Sequence, residues 1–482
     1  MDWVIFWLII VNIMSQSSFS LMAPFYPSMA KDEKGVGSTV VGILMASLSV
    51  SFVITSCIIG MVISKIGRRL VLYSGIFIGV GSMVGFGFMI WINNTVLFII
   101  LSFALRLLTG VASAMICVAA YAMVSIKYSE NVQSKIALLE AANGAGLFIG
   151  PIFGGLVYQY THFCVPFFTF SGLFLVCVPF MMKSLGPELD RDDNTHNDAP
   201  KVGYFKLLKN KRVLFAGINQ FWNMIVFCSG QPIFGPRLQD KYHFSAFAVG
   251  AMFAVPCIAY IIGGPVLLPL ITKKFEPRTT KIVGFFILAI CCFIIGPSKI
   301  LGFPDTSIAM MSIGLVILGL GAAFTIIPII PEMLDAVEGQ FLDSRSEVSD
   351  KFSGIFNMAG GFGQICGPST AGLLNDKVGF NMTFDIIALL LLAHVLIYMI
   401  VCDGFRSVSR SMKATCMRCR KSSGDVRSST STSRKLLEET TDEDEESITK
   451  NEESYDAGAN ASYASTDASF QNNDNAYAIN TD

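Results

Sequence analysis

Charged residues are scarce in this chain, and their scarcity indicates its class. Asp, Glu, Lys and Arg make up 15% of the 482 residues, whereas hydrophobic residues make up 52%. Soluble domains carry about 25% charged residues, which they need to cover their surface. A chain with so little charge and so much hydrophobic side chain is not a soluble enzyme. Its composition is typical of a membrane protein with many spans.

The sequence also lacks the motifs of common enzymes. It has no glycine loop of ATP-hydrolysing proteins, no cluster of metal ligands and no nucleophile arrangement. The 12 Cys are scattered, many of them inside apolar runs, where thiols behave as small hydrophobic groups. Cys416 and Cys419 form a lone pair without the second pair that a zinc site needs. We therefore expect no enzymatic activity, no metal, no cofactor and no nucleic-acid partner.

What the chain has instead is a series of long apolar runs. A bilayer core about 30 Å thick needs about 20 apolar residues per helix, and on this rule the sequence predicts about twelve spans. The predicted spans are 3–24, 39–64, 70–91, 95–125, 135–158, 166–183, 212–235, 246–271, 280–298, 306–331, 351–374 and 382–402. The fold class is an all-α membrane protein with two six-helix halves.

The longest charged stretch between spans follows the sixth of them and separates the halves. We predict an N-terminal half at 1–183, a linker at 184–211, a C-terminal half at 212–402 and a tail at 403–482. The tail is first basic and then acidic and polar, so it buries too little apolar area to fold and is expected to be disordered. Its Leu436-Leu437 pair is a candidate sorting signal, and a plain solvated tail is the alternative.

The distribution of Lys and Arg predicts the orientation. If the N-terminus is cytoplasmic, the loops on that side hold most of the basic residues, among them Lys65, Lys127, Lys273 and Lys281. Cytoplasmic loops carry an excess of Lys and Arg. Both termini and the linker are therefore expected in the cytoplasm.

The halves repeat one another. Span five contains Gly146, Gly150-Pro151 and Gly154-Gly155, and span eleven contains Gly363, Gly367-Pro368 and Gly372. Spans four and ten share Gly110 and Gly319 at a similar offset. A six-plus-six repeat in which both halves face the same way indicates a secondary transporter of the rocking type.

Three motifs resemble those of the major facilitator superfamily. The run from Gly60 to Arg69, with Gly67, Arg68 and Arg69 at its end, resembles the loop between spans two and three, although Ser64 stands where that loop has Asp. Arg106-Leu-Leu-Thr-Gly110 resembles its span-four motif, and the glycines of span five resemble the motif of its proton antiporters. The resemblance implies the major facilitator fold.

Three further stretches resemble the vesicular amine transporter family, solute carrier family 18, and most of all its polyamine-transporting branch. They are Ala23-Pro-Phe-Tyr-Pro27, Leu138-Leu-Glu140 and Ile327-Pro-Ile-Ile-Pro-Glu332. The resemblance covers about residues 3 to 402 and implies exchange of a cationic amine for luminal protons.

Few ionisable residues lie inside spans, and such residues are costly there unless they have a use. Glu140 is the first candidate for the coupling acid, because a partly buried carboxylate holds a proton more readily and also pairs with an ammonium. Arg106 lies near the midplane, where we expect it to donate hydrogen bonds to the backbone of 146–151, which Pro151 leaves partly unpaired. The alternative for Arg106 is a purely structural role.

Glu332 follows Pro328 and Pro331, which are expected to break span ten near its cytoplasmic mouth. There it is a candidate to receive an entering cation, with an ordinary solvated acid as the alternative. His394 in span twelve either relays protons or bonds to a neighbouring helix.

Uncharged polar side chains predict a cavity between the halves. Asn12 and Gln16 share a face of span one. Asn219, Gln220 and Asn223 form a similar cluster on span seven, its repeat partner. Tyr121, Trp222 and Tyr260 are candidates for aromatic contact with an amine, with ordinary packing as the alternative.

These observations predict a proton-coupled antiporter of organic cations, polyamines or other amines, that works by alternating access. The alternatives are a drug or metabolite exporter of the same superfamily and a transport-inactive receptor or scaffold. The expected partners are a small organic cation, protons and the lipid bilayer. We expect a monomer in an intracellular vesicle membrane or the plasma membrane, whose tail binds sorting factors if the dileucine pair is used.

Overall fold

The computed structural model describes residues 2–128, 132–190, 204–272, 276–304, 307–337 and 345–410. These residues belong to one compact unit, Met1–Lys413. Residues 191–203 of the predicted linker and nearly all of the predicted tail, including Leu436-Leu437, lie outside the described residues. In the described ranges the chain forms sixteen α-helices.

Seven of these helices belong to the N-terminal half, where apolar runs are long and glycine is tolerated because neighbouring helices pack on it. They are α1 Trp3–Ser20, α2 Tyr26–Lys34, α3 Ser38–Ile66, α4 Arg68–Phe88, α5 Thr95–Lys127, α6 Val132–Tyr160 and α7 Val165–Ser184. All six spans predicted in this half are confirmed to within a few residues. The short helix α2 was not predicted, since it lies between spans one and two.

Nine helices follow. They are α8 Tyr204–Leu208, α9 Lys211–Ser229, α10 Phe234–Tyr242, α11 Ala246–Thr272, α12 Pro277–Ile295, α13 Ile308–Ile326, α14 Ile329–Ala336, α15 Arg345–Val378 and α16 Phe380–Val401. The break predicted in span ten is confirmed, because α13 ends at Ile326 and Pro328 precedes α14. The chain is helical again at 404–410.

Eleven helical segments of the described chain are long and apolar enough to cross a bilayer. The predicted eleventh span lies in α15, which is 34 residues long and is not among them. This helix carries Asn357, Gln364 and several glycines, which lower its hydropathy. Twelve predicted spans and eleven apolar segments therefore agree closely.

Each half has its own buried core. Two clusters of buried hydrophobic side chains come from α1–α7 and the residues that flank them, with Ala246 of α11 as one exception. Two others come from α8–α16 and the residues next to them. This division agrees with two halves, although their exact boundaries stay a prediction.

The helix bundle has two ends. We call the end at which α1, α6, α9 and α12 begin the linker end, because the segment between the halves starts and finishes there. The opposite end, at which α3 and α11 begin, is the far end. Helices α1 and α6 run in the same direction, since Ile13 lies beside Gly146 and Leu21 beside Gly154.

Candidate functional site

Glu140 lies on α6, two turns from its start, and is held by a tyrosine of α5. The Tyr121 hydroxyl donates a hydrogen bond to Glu140 Oε1 at 2.7 Å, and it accepts one from Asn143 Nδ2 at 2.9 Å. Asn143 is three residues after Glu140, so both side chains share one face of α6. The Glu140 side chain nevertheless stays exposed. The arrangement fixes one carboxylate oxygen and leaves the group open to a ligand.

Tyr260 of α11 lies near this group from the other half. It interacts electrostatically with the Glu140 carboxylate. The tyrosine–glutamate–asparagine cluster of the N-terminal half is therefore within electrostatic range of an aromatic side chain of the C-terminal half. Of the three aromatic residues predicted near an amine site, Tyr121 contacts Glu140 directly, and Tyr260 interacts with it electrostatically.

Arg106 is buried at 1% exposure on α5, but its partners are not those expected. Its guanidinium donates to the carbonyl oxygen of Phe19 at 3.3 and 3.4 Å and contacts Met45 Sδ at 2.8 Å. The expected bonds to the backbone of 146–151 are therefore wrong. The carbonyl of Gly146 instead accepts from Ser17 Oγ at 3.1 Å, so hydroxyls of α1 take the place that we assigned to Arg106. Arg106 ties α5 to the end of α1.

The glycines of α6 contact two different helices. A Cβ added at Gly146 or Gly150 would meet the backbone of α1 in the same half, and one added at Gly154 would meet the backbone of Leu21, which directly follows α1. A Cβ added at Gly155 would meet the backbone of Ala246 on α11 in the other half. Glycine is needed at these positions because only a missing side chain lets the backbones come so close.

The C-terminal half repeats this arrangement. Gly363 and Gly367 pack on α9 of their own half, and Gly372, after Pro368, packs on Ser38 of α3 in the other half. Gly110 likewise packs on α3, and its repeat partner Gly319 packs on α11. The predicted repeat thus appears in space as two equivalent crossings, α6 with α11 and α15 with α3.

Hydrogen bonds join the halves at the far end. Asp376 of α15 accepts from the backbone N–H of Ser38 at 3.2 Å and of Thr39 at 2.6 Å. The Lys31 ammonium lies 2.5 Å from an Asp240 carboxylate oxygen, with both side chains about half exposed. The backbone N–H of Phe247 donates to Gln159 Oε1 at 3.2 Å. These contacts hold the far end together.

A cavity of about 40 Å³ lies between the halves beside Pro151, with mostly apolar side chains around it. Its residues are Ser20, Ala23, Leu147, Pro151, Val226, Phe227, Gly230, Gln231, Phe234, Phe253, Pro256, Cys257, Ile295, Leu315, Leu318 and Phe384. A cavity of this size holds no more than a few waters. It does not include Glu140.

The polar residues of α9 turn away from the predicted cavity and into their own half. Asn219 Oδ1 lies 2.7 Å from His394 Nε2, and Asn223 Oδ1 accepts from the Thr325 hydroxyl at 2.6 Å. Gln220 is buried beside Gly360 of α15. Two roles were predicted for His394, and the one confirmed is the hydrogen bond to a neighbouring helix, here α9.

The polar pair of α1 does not reach α9 either. Asn12 Nδ2 donates to the carbonyl oxygen of Leu8 in its own helix at 2.8 Å. Gln16 is half-buried, and its Cβ lies at the crossing with Gly146. In the described part of the chain no hydrogen bond joins this pair to the cluster on α9, so the predicted shared cavity is not formed by direct contact.

Glu332 is fully buried and already has a cationic partner. It forms an ion pair with Lys281 of α12, and neither side chain has exposed surface. The Tyr398 hydroxyl donates to Glu332 Oε1 at 2.6 Å, and the Lys281 ammonium lies 5.3 Å from the centre of the Tyr398 ring. Glu332 therefore does not lie at an open mouth, and its predicted placement as a receiver of entering cations is wrong.

Comparison with known proteins places the chain in a family. Residues 8–340 match the Major Facilitator Superfamily. The chain belongs to that superfamily. One relative is the MFS-type transporter SLC18B1 of Homo sapiens, 27% identical over 376 residues, which are 77% of this chain and 80% of that protein. Another is the synaptic vesicular amine transporter of Bos taurus, 25% identical over 354 residues, which are 73% and 64% of the two chains.

Solved structures agree on the fold. The crystal structure of the nucleoside transporter NupG matches with a TM-score of 0.63 at 14% identity, over 83% of this chain and 99% of that one. A bacterial homolog of the human lysosomal transporter Spinster matches with a TM-score of 0.59 at 13% identity, over 86% and 98%. The predicted major facilitator fold and the resemblance to solute carrier family 18 are confirmed. The relatives are transporters and not enzymes.

The signature loop of this major facilitator protein uses an acid from outside the loop. Gly67 has φ of +99°, a conformation that favours glycine, and it lies beside Asp190. Asp190 Oδ1 accepts from the backbone N–H of Arg69 at 3.0 Å, and buried Arg68 donates to the carbonyl oxygen of Leu189 at 3.5 Å. A carboxylate at the first turn of α4 stabilises that helix end. A Cβ added at Gly60 would have no described atom within 4 Å.

Sequence reasoning missed three of these residues. Lys281 had been counted with the basic residues of a cytoplasmic loop, although it lies at the edge of the predicted span 280–298; the structure places it inside α12, which begins at Pro277. Asp190 had been assigned only to the linker. Asn143 had no assigned role, although its spacing of three residues from Glu140 was a usable signal.

Proposed function

We propose that this chain is a proton-coupled antiporter that exchanges protons for organic cations, with amines as the substrate class and polyamines as its leading members. Glu140 is the coupling acid. The observation that carries the proposal is the exposed Glu140 carboxylate, which accepts a hydrogen bond from Tyr121 on one oxygen. The relatives, which include the synaptic vesicular amine transporter and the chromaffin granule amine transporter, support the substrate class.

The site fits an ammonium group on chemical grounds. Glu140 Oε1 accepts the Tyr121 hydroxyl, and Oε2 receives no hydrogen bond from a described residue. An ammonium pairs with this free oxygen by a charge-assisted hydrogen bond, and the Tyr260 ring offers a face for cation–π attraction. A proton on Glu140 removes both the charge and the free acceptor. Proton and amine therefore compete for one carboxylate, which is the requirement for exchange.

Alternating access follows from the two crossings of the halves. The far end is held by Asp376, the Lys31–Asp240 pair and the glycine contacts, while Glu140 lies toward the linker end and is exposed. This arrangement supports a state that is open at the linker end. We assign the linker end to the cytoplasm and the far end to the lumen of a vesicle or the outside of the cell. Rocking about the crossings then exposes Glu140 to the proton-rich side.

The test is uptake into liposomes that contain the purified full chain, under an imposed pH gradient. Labelled spermidine, a monoamine and a neutral sugar are compared. We expect amine uptake that requires the gradient, no sugar uptake, and loss of gradient-driven uptake in Glu140→Gln. The control is Glu188→Gln, which removes an exposed carboxylate at the linker end outside the site.

Two results overturn the proposal. One is uptake of the sugar without proton dependence, which indicates a different substrate class. The other is unchanged gradient-driven uptake by Glu140→Gln while Glu188→Gln behaves like the natural chain. In that case Glu140 is not the coupling acid.

A further inference from the structure

A second cavity, which is lined mainly by charged side chains and does not include Glu140, lies at the linker end of the C-terminal half. Its volume is about 640 Å³, and four of its six lining residues are arginines. The lining residues are Arg212, Arg278, Asp403, Arg406, Ser409 and Arg410. They come from the first turn of α9, the first turn of α12 and the segment that follows α16. Three helix ends thus bring four guanidinium groups together.

The carboxylates nearby do not balance this charge. Asp403 lies 3.9 Å from Arg406, and Glu276 lies 3.7 Å from Arg410, with every one of these side chains at least about a third exposed. Exposed pairs at such distances contribute little. Lys281, one turn beyond Arg278, is already paired with Glu332.

Among the described residues no carboxylate lies within ion-pair distance of Arg212 or Arg278, although Asp335 interacts electrostatically with Arg212. Arg212 donates to the backbone carbonyl of Asp335 at 3.3 Å, and Arg278 donates to that of Cys402 at 3.3 Å. Arg212 Nε is buried and has no hydrogen-bond partner among the described residues. A buried guanidinium N–H without an acceptor is costly, so it points to a ligand that supplies one.

We propose that this cavity binds a phosphomonoester anion, supplied by the headgroup of a phosphorylated lipid. Guanidinium groups match phosphate because their planar fork donates two parallel hydrogen bonds. The cavity lies where α9 and α12 begin and α16 ends, which is the level of lipid headgroups. Basic pockets between helices at this level bind phosphorylated headgroups. The inference is independent of the proposed transport function.

The experiment measures binding of a fluorescent dioctanoyl phosphatidylinositol bisphosphate to the purified full chain in neutral detergent. Three variants are compared: Arg212→Gln with Arg278→Gln, the same two positions changed to Lys, and Lys209→Gln. Lys209 is exposed at the same end and lies outside the cavity, so it removes one charge without touching the site. Size-exclusion profiles establish that each variant is folded.

We expect the double Gln variant to weaken binding by about tenfold or more, because it removes both guanidinium charges and the charge-assisted hydrogen bonds that they donate. The double Lys variant keeps the positive charges but loses the planar guanidinium donors. Its affinity should therefore fall between that of the natural chain and that of the double Gln variant. Lys209→Gln binds like the natural chain. Equal binding by the natural chain and the double Gln variant overturns the proposal.

Competition assigns the source of the phosphoryl group. If inorganic phosphate and inositol trisphosphate displace the probe only weakly, the lipid is the ligand, as we propose. If inositol trisphosphate displaces it as well as unlabelled lipid does, the site takes a soluble phosphate ester and the lipid assignment is wrong. If dioctanoyl phosphatidylcholine competes equally, binding is to the acyl chains and the whole proposal fails.

Discussion

Lys281 of α12 and Glu332 of α14 form an ion pair in which neither side chain has exposed surface. The Tyr398 hydroxyl donates to the same carboxylate at 2.6 Å, so α16 joins the pair. Taking two charges out of water is costly, and the pair persists because each charge compensates the other. The pair and the tyrosine thereby connect the short helix α14, which follows the break at Pro328, to α12 and α16.

Removing one member of this pair is expected to be far more harmful than removing both. Lys281→Met leaves a buried carboxylate without a counter-charge, which costs about 3–5 kcal/mol. Lys281→Met together with Glu332→Gln removes both charges and keeps an acceptor for Tyr398, so we expect most of the stability to return. The thermal unfolding midpoint of the purified chain in detergent measures this difference.

The exposed Lys31–Asp240 pair provides the control. Lys31→Met breaks a pair whose side chains are 50% and 52% exposed, and such pairs contribute about 0–1 kcal/mol. If Lys281→Met lowers the midpoint no more than Lys31→Met does, the buried pair has no structural importance.

Tyr121 is expected to set the affinity of the Glu140 site. Tyr121→Phe keeps the ring and removes the hydroxyl that lies 2.7 Å from the carboxylate. Hydrogen bonds to charged groups contribute about 1.5–3 kcal/mol, so we expect about a tenfold change in the apparent KM for amine and a shifted pH dependence of uptake.

The matched variant for this test is Tyr260→Phe. It retains the aromatic face that attracts a cation and loses a hydroxyl that makes no described hydrogen bond to Glu140. We expect a smaller effect on KM. Equal effects of the two variants would show that the Tyr121–Glu140 hydrogen bond has no special role.

Two glycines of α6 are expected to respond to alanine in opposite directions. A Cβ at Gly150 meets the backbone of Ser17 on α1, which cannot move away cheaply, whereas a Cβ at Gly144 meets nothing within 4 Å. Overpacking costs about 1–3 kcal/mol, while alanine is about 1 kcal/mol better than glycine inside a helix. Gly150→Ala should lower the thermal midpoint and Gly144→Ala should leave it unchanged or raise it. If both variants lowered the thermal midpoint by the same amount, close packing of α6 on α1 would not explain why glycine stands at position 150.

The sequence predicted much of the fold and part of the site. Spans, the six-plus-six repeat and the glycine motif are local patterns, and each is recoverable because a long apolar run or a fixed spacing has one main physical meaning. Glu140 could be named as a candidate for the same reason, as an acid among apolar residues, and its role as coupling acid stays a prediction. Its partner Tyr121 was named only as a possible aromatic surface.

The rest depended on contacts between distant residues. Lys281 and Glu332 are about fifty residues apart, and no spacing rule joins them, so Lys281 was counted as a loop cation. Arg106 was assigned to α6 from its depth alone. Depth does not show which neighbouring helix a guanidinium faces, and the structure places Phe19 of α1 there. Which neighbouring helix a side chain faces, and which distant residues pair within one half, are set by tertiary packing and cannot be read from the sequence.

Asp376 is expected to control how often the far end opens. It caps the start of α3 from the other half by accepting the backbone N–H groups of Ser38 and Thr39. Burial alone would raise the pKa of the Asp376 carboxyl, but the hydrogen bonds from Thr39 and Ser38 outweigh it and lower the pKa. When the far end opens, these bonds are lost and the pKa returns toward its ordinary value. The cap therefore gives its full stabilisation at any pH above the ordinary pKa of an Asp carboxyl. This stabilisation is lost only as the pH falls through the lowered pKa of Asp376. Mild acidity on the far side therefore does not release the cap.

Hydrogen exchange of the segment around Ser38 and Thr39 measures this cap directly. Asp376→Ala removes the acceptor, and losing an N-terminal cap costs about 1 kcal/mol, which is roughly a fivefold increase in local opening and in the exchange rate of these amides. Asp240→Ala is the control, because it also removes an acid that joins the halves at the far end but makes no bond to α3. We expect exchange at 36–42 to change little in that variant and to stay constant in the natural chain between neutral and mildly acidic pH, once corrected for the intrinsic rate. Unchanged exchange in Asp376→Ala would mean that the glycine crossings of α15 with α3 close the far end without help from the carboxylate.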